Sequence, residues 1–208
     1  MTAIRHVTLE ASDAREANEF YTSVFGFGRE LHVRGSDAPT TGFRGFTLSA
    51  DVSGPASVDA FIGTALHAGA VPVKPPKKQI WGGYSGVIQV PDGSIWKVGT
   101  NIKKGGGPAT PAIERIVLLL GVADVALSKK FYTDRGLAVA KSFGSKYVEF
   151  NPGSGPVTLG LYRRRGLAKE FGVSPDGTGA RRLAIGCDAQ PFTDPDGFTW
   201  ERTFVHED

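Results

Sequence analysis

The chain has 208 residues, 40% hydrophobic and 22% charged, with a formal net charge of +3. This is the balance of a globular chain that buries a core as one compact unit or two small domains. No apolar run approaches the roughly 18 residues that span a bilayer, which predicts no membrane partner. The basic residues fall in short clusters such as Arg163-Arg164-Arg165 and Arg181-Arg182 rather than in a stripe, which predicts no nucleic-acid partner.

In chain order, Ile4–Ala11 reads as a strand. Ser12 or Asp13 then caps a helix in which Ala17, Phe20, Tyr21 and Val24 keep helical spacing and Gly26 ends the run. Arg29–Arg34 and Phe43–Ala50 are predicted strands. Ser57–Ala68 is a second helix, with Val58, Phe61, Ile62, Ala65 and Leu66 as its apolar stripe. Extended segments at Val71–Lys74 and Gly86–Val90 lead into the tight turn Pro91-Asp92-Gly93 and the strand Ile95–Gly99. Residues 103–112, with three glycines and two prolines, form a linker. Beyond it come a strand at 113–121, a helix at 124–134, strands near 138–142, 146–150 and 157–162, and a loop at 165–178 that holds a short helix at Leu167–Phe171. The last stretch is a strand at Leu183–Gly186, a second turn and a closing strand. Glycine and proline together make up about a fifth of the chain, which suits short strands and many turns.

The two halves share an order of signals. A strand at Ile4–Leu9 is followed by Phe20-Tyr21 and by Pro91-Asp92-Gly93-Ser94-Ile95-Trp96. A strand at Ile113–Leu118 is followed by Phe131-Tyr132 and by Pro195-Asp196-Gly197-Phe198-Thr199-Trp200. Three matches in one order predict an internal duplication, with 1–102 and 113–208 as its copies. Gly93 and Gly197 can take positive φ, so the PDG turns are hairpin geometry rather than catalytic acids.

Strand, helix ending in Phe-Tyr, further strands and a terminal PDGxxWE together resemble the vicinal-oxygen-chelate superfamily of glyoxalases, bleomycin-resistance proteins and extradiol dioxygenases. The resemblance implies an α+β fold of two tandem βαβββ modules, here 1–102 and 113–208, whose curved mixed sheets enclose one cavity. It also implies ligand positions on the first and last strands of each module, which fall on His6, Lys97, Arg115 and Glu201. His6 and Glu201 are suitable metal ligands, whereas ammonium and guanidinium groups have no free lone pair and repel a cation.

The expected reading is therefore a small-molecule site without the usual metal. Arg115 and Lys97 would bind an anionic or amphiphilic ligand, and His6 or Glu201 would move a proton if the protein is catalytic, as a lyase, isomerase or dioxygenase-type enzyme. Side-chain alternation adds Thr8 and Glu10 beside His6, and Tyr147 with Glu149 on a facing strand, to the substrate-binding set. Trp81, Tyr84 and Phe46 are candidate aromatic walls. Two alternatives stay open. One is a metal-dependent enzyme holding zinc, nickel, manganese or iron on His6, Glu10 and Glu201. The other is a non-catalytic antibiotic-binding protein, for which a net positive chain is a poor electrostatic match to cationic bleomycin. His32, His67, His206 and the single cysteine, Cys187, are expected to be structural. One cysteine forms no internal disulfide, and no basic segment followed by an apolar stretch opens the chain, so a cytoplasmic setting is expected. A monomer or a homodimer is expected, because the duplication can complete the cavity within one chain.

Overall fold

The computed structural model describes residues 3–80, 82–102, 108–110 and 112–203. Strand β1 (Ile4–Ala11) leads into helix α1 (Ala14–Phe20), where the Asp13 carboxylate accepts from the Glu16 amide at 2.9 Å, as the capping pattern requires. The helix widens into a π-helical turn (Tyr21–Phe25) and stops at Gly26, whose φ of 65° is left-handed. Then follow β2 (Leu31–Gly35), β3 (Thr40–Gly42), β4 (Phe46–Val52), α2 (Pro55–His67), β5 (Val71–Lys78), β6 (Tyr84–Gln89) and β7 (Ile95–Thr100).

The second half contains β8 (Ile113–Val122), α3 (Val125–Asp134), β9 (Val139–Phe143), β10 (Tyr147–Phe150) and β11 (Val157–Arg163). It continues with α4 (Arg164–Phe171), β12 (Gly177–Gly179), β13 (Leu183–Cys187), β14 (Phe192–Thr193) and β15 (Thr199–Arg202). The linker expected at 103–112 lies largely outside the described residues.

The strands form two large mixed sheets. An eight-stranded sheet has the order β5-β6-β7-β4-β8-β11-β10-β9, and a five-stranded sheet has the order β14-β15-β13-β1-β2; β3 and β12 make a small separate pair. Two βαβββ runs stand in tandem in the larger sheet: β4, α2, β5, β6, β7 and then β8, α3, β9, β10, β11. In each run the first and last strands lie side by side and parallel, and the two first strands, β4 and β8, pair antiparallel. The five-stranded sheet repeats the plan in shortened form, with β1 beside β2, β13 beside β15, and β1 antiparallel to β13. Each half of the chain thus contributes to both sheets, and 1–102 holds β1, α1 and β2 in addition to the βαβββ run from β4 to β7.

One main core joins both sheets to α1, α2 and α3 through residues such as Val7, Leu9, Leu48, Trp96, Leu118, Tyr132, Ile185 and Trp200. Strand alternation then predicts the rest. Leu118 and Leu120 of β8 enter this core, while Val117 and Leu119 point to the other face of the eight-stranded sheet. There they pack with Phe43, Val87 and Ile95 under Leu167, Ala168 and Phe171 of α4. The loop at 165–178 therefore supplies a wall rather than a solvent-exposed excursion. No helix among the described residues is long and apolar enough to cross a membrane.

The repeated Phe-Tyr and PDG signals have one physical cause. The Tyr21 hydroxyl donates to the Asp92 carboxylate at 2.8 Å, with the Trp96 ring tilted against it at 5.8 Å between ring centroids. In the second copy Tyr132 donates to Asp194, with Trp200 at 5.4 Å. The PDG aspartate itself, Asp196, instead accepts from the Ala123 amide and the Ser128 hydroxyl at the start of α3. Gly93 and Gly197 have φ of 86° and 83°, as their turns require.

Candidate functional site

The four positions His6, Lys97, Arg115 and Glu201 do not converge. His6 and Glu201 lie on the five-stranded sheet, on β1 and β15, which flank β13. Lys97 and Arg115 lie on the eight-stranded sheet, on β7 and β8, which flank β4. The expected mixed quartet is thus replaced by two separate clusters, because sequence order within each half does not reveal which strands share a sheet.

On the eight-stranded sheet, register brings the side chains of one face together. Asp51 stands opposite Arg115, Ser49 opposite Lys97 and Val117, Glu149 opposite Lys141, and Tyr147 opposite Tyr162. Glu149 is the hub. It accepts from Arg115 Nη2 at 2.8 Å and from the Tyr147 hydroxyl at 2.6 Å, and it pairs with Lys141 Nζ at 3.3 Å. Burial raises its pKa, but the hydrogen bonds from Tyr147 and Arg115 outweigh that, and the net shift is downward. Burial and Glu149 together push the Tyr147 hydroxyl well above its ordinary range.

Asp51 lies 3.9 Å from Arg115 Nε, beyond hydrogen-bond reach. Burial raises its pKa despite Arg115 and Lys97. Lys97 reaches Glu170 of α4 at 3.3 Å. Gly160 leaves room for these side chains: a Cβ at that position would fall 2.6 Å from Leu119 Cδ2 and 3.2 Å from the Tyr147 ring, so Leu119 would have to shift.

These residues enclose a cavity of about 220 Å³, lined by Asp51, Lys97, Arg115, Lys141, Tyr147 and Glu149 among others. Chemically it offers three cations, one carboxylate held ionised, and one carboxylate whose proton is retained more easily. Asp51, Lys141 and Tyr162 were not singled out from sequence. Alternation placed Tyr147 and Glu149 on one face, but Asp51 becomes visible only once β4 is known to pair with β8. Of the aromatic walls expected, Tyr84 donates instead to Asp59 at 2.8 Å and Phe46 is buried in the main core; Trp81 lies outside the described residues.

On the five-stranded sheet, His6, Thr8 and Glu10 share a face while Val7 and Leu9 enter the core. The parallel partner β2 adds His32 beside Thr8 and Arg34 beside Glu10. The His6 and His32 rings stack at 4.3 Å, so His32, expected to be merely structural, belongs to this cluster. Arg34 bridges both acids, with Nη2 at 2.6 Å from Glu10 and 2.9 Å from Glu201, and Nη1 at 3.1 Å from Glu201. Burial lowers the His6 pKa and the neighbouring His32 lowers it further, against an opposing effect of Glu201.

Among the described residues neither sheet presents a donor set that fits a divalent metal. Lys97 and Arg115 have no lone pairs to give, and the Glu10 and Glu201 carboxylates are shared by one guanidinium. Among the described residues no three His, Cys, Asp or Glu side chains are arranged to hold an ion. His67 bonds the Gly63 carbonyl one helical turn back at 2.7 Å, and Cys187 is buried with its thiol pKa pushed up by burial. His206 lies outside the described residues.

No protein-family model matches the sequence, and no curated protein matches it. Solved structures do. Glyoxalase I from Zea mays superposes with a TM-score of 0.63 at 18% identity, over 96% of this chain and 91% of that one. A proposed dioxygenase from Bacillus subtilis superposes with a TM-score of 0.56 at 13% identity, over 94% of this chain and 71% of that one. The chain therefore has the vicinal-oxygen-chelate fold, and at such identities the likeness is one of fold.

Proposed function

We propose that this vicinal-oxygen-chelate-fold protein binds a small anionic or amphiphilic organic molecule in the Arg115 cavity, without a divalent metal. The observation that carries this reading is the composition of the cavity. Lys97 of β7, Arg115 of β8 and Lys141 of β9 all line this cavity on one face of the eight-stranded sheet, and Val117, Leu119 and Tyr162 give it an apolar side. A guanidinium is an apt partner for a carboxylate, phosphate or enolate oxygen. If the protein is a lyase or isomerase, Asp51 is the proton-transfer group in this cavity, since its raised pKa and its place beside Arg115 suit it to exchange a proton. His6 and Glu201, on the other sheet, would then not take part. Both halves of the chain line the cavity, Asp51 and Lys97 from the first and Arg115, Lys141 and Glu149 from the second, so one chain can form it, and a cytoplasmic setting accords with a single buried cysteine.

The test is calorimetric titration of small carboxylates, hydroxy acids and organophosphates into protein purified without chelator, with metal analysis of the same sample. Binding that weakens by about tenfold in Arg115→Ala supports the reading, that being the usual size of one lost charge-assisted contact. Stoichiometric zinc, nickel, manganese or iron, or binding indifferent to Arg115, would overturn it.

A further inference from the structure

One side of the Arg115 cavity is aromatic, and the aromatic surface continues past the cavity to the edge of the sheet. Tyr162 of β11 and Tyr147 of β10 stand opposite each other in register, with ring centroids 4.7 Å apart. Phe143 of β9 stands opposite Tyr147 on the other flank, and its ring stacks on that of Tyr147 at 6.1 Å between centroids and 19° between planes. Cross-strand partners share a face of the sheet, so the three rings form one row. Tyr147 and Tyr162 line the cavity, and so does Lys141, which alternation along β9 turns to the same face as Phe143.

Phe143 is 63% exposed, on the edge strand of the eight-stranded sheet. An isolated exposed phenylalanine needs no explanation. This one is stacked on a cavity wall, where a bound ring would remove it from water. Burial first, and nearby carboxylates second, hold the Tyr147 and Tyr162 hydroxyls above the ordinary phenol range, so neither ring carries a charge that repels an acid.

The cations beside the row are placed for an acid. Glu149 accepts from Arg115 Nη2 with one oxygen and pairs with Lys141 Nζ through the other, which holds the two cations side by side. The Arg115 side chain is 36% exposed, and of its nitrogens only Nε is both buried and unpartnered. Its Nη1 makes no hydrogen bond among the described residues and is open to a ligand oxygen. The cavity, at about 220 Å³, falls below the roughly 300–1,000 Å³ that enclose a drug-sized ligand. A ligand larger than one ring must extend beyond the lining, and Phe143 is the apolar surface that continues it.

Resting on the reading of this cavity as an anion site, we infer that its ligand is an aromatic carboxylate of about two fused rings, whose acid group meets Arg115 and Lys141 and whose rings lie along Tyr162, Tyr147 and Phe143. Phe143 is then a specificity residue. It selects flat, conjugated bodies over saturated ones of the same size, because paired rings gain an attraction beyond the area they bury.

The test titrates the full chain calorimetrically with naphthoate, with its fully saturated decalin analogue and with uncharged naphthalenemethanol. Naphthoate should bind roughly three- to tenfold more tightly than the saturated acid, the usual size of an aromatic pair, and about tenfold more tightly than the alcohol. Phe143→Leu keeps an apolar contact at an exposed position and removes the ring, so it should erase most of the preference for naphthoate over the saturated acid. Arg115→Ala should weaken both acids about tenfold. If both acids bind through Arg115 with equal affinity, or if the preference survives Phe143→Leu, the aromatic row is not the binding wall; the proposal falls and the anion site stands. If neither acid depends on Arg115, the anion site falls with it. A dimer that Phe143→Glu dissociates in sedimentation would assign this ring to a second copy of the chain and overturn the proposal as well.

Discussion

His6 shows how one residue's environment sets a pH response. Its ring lies on the backbone of Gly186, where a Cβ would fall 2.2 to 2.6 Å from three ring atoms, and it stacks on His32. Burial and His32 hold its pKa below the ordinary 6.5. The unfolded chain therefore takes up a proton more readily than the folded one. Stability from this source is complete above pH 6.5 and is lost as the pH falls towards the lower folded value. Thermal melts from pH 8 to pH 5 should show this acid-side loss, and His6→Asn should flatten it; an unchanged slope would show that His6 is not its origin. Gly186→Ala should displace the ring from His32, seen as a rise in the His6 pKa by NMR titration. The sequence placed His6 on the correct face but gave no hint of Gly186 or His32, because both contacts depend on strands far away in the chain.

At the scale of elements, local features are legible in the sequence and features that depend on strand pairing are not. The Asp13 cap, the stop at Gly26 and the strand alternation of β1 and β10 are all properties of a few neighbouring residues, and the sequence displays them. The short helix expected at Leu167–Phe171 is also present, as α4. Its role was not legible, since Leu167 and Phe171 show their apolar stripe without naming the surface beneath it. That surface is Val87, Ile95, Val117 and Leu119, on strands drawn from both halves of the chain. α4 therefore covers part of that face and leaves the Arg115 cavity beside it. Phe171 is fully buried, and Lys97 lies 5.9 Å over its ring. Phe171→Ala should cost about 3–5 kcal/mol in urea unfolding, the usual range for a core phenylalanine. A loss below 1 kcal/mol would show that α4 is loosely seated. Any ligand affinity of the Arg115 cavity should fall as well, because Lys97 and Glu170 lose their support.

For the molecule as a whole, the duplication conceals a crossing. Tyr21 sits at the end of the helix between β1 and β2 of the five-stranded sheet, yet its hydroxyl is held by Asp92 in a turn of the eight-stranded sheet. Tyr132 follows the helix after β8 of the eight-stranded sheet and is held by Asp194 in the turn before β15 of the five-stranded sheet. The two motifs that announce the repeat are thus latches between the sheets. This is why a reading by halves recovers the α+β fold yet joins His6 to Lys97 and Arg115 to Glu201. The same crossing sets the folding unit. Separated fragments 1–102 and 113–208 would each expose the open edges of β1 and β4, or of β8 and β13, together with half of one shared core. Neither fragment should unfold cooperatively alone, and mixing them should restore a single transition. In the intact chain, tryptophan fluorescence and far-ultraviolet circular dichroism should give coincident urea curves, because Trp96 and Trp200 report on different sheets of one core. Two resolved transitions, or a fragment that melts cooperatively by itself, would mean that the sheets are independent domains. Tyr132→Phe removes one latch and leaves the Asp194 carboxylate short of a donor in a buried setting, so a loss of about 1–3 kcal/mol is expected. If the latches couple the sheets, that loss should appear in one shifted transition with its slope unchanged, and not as a shoulder from the five-stranded sheet alone.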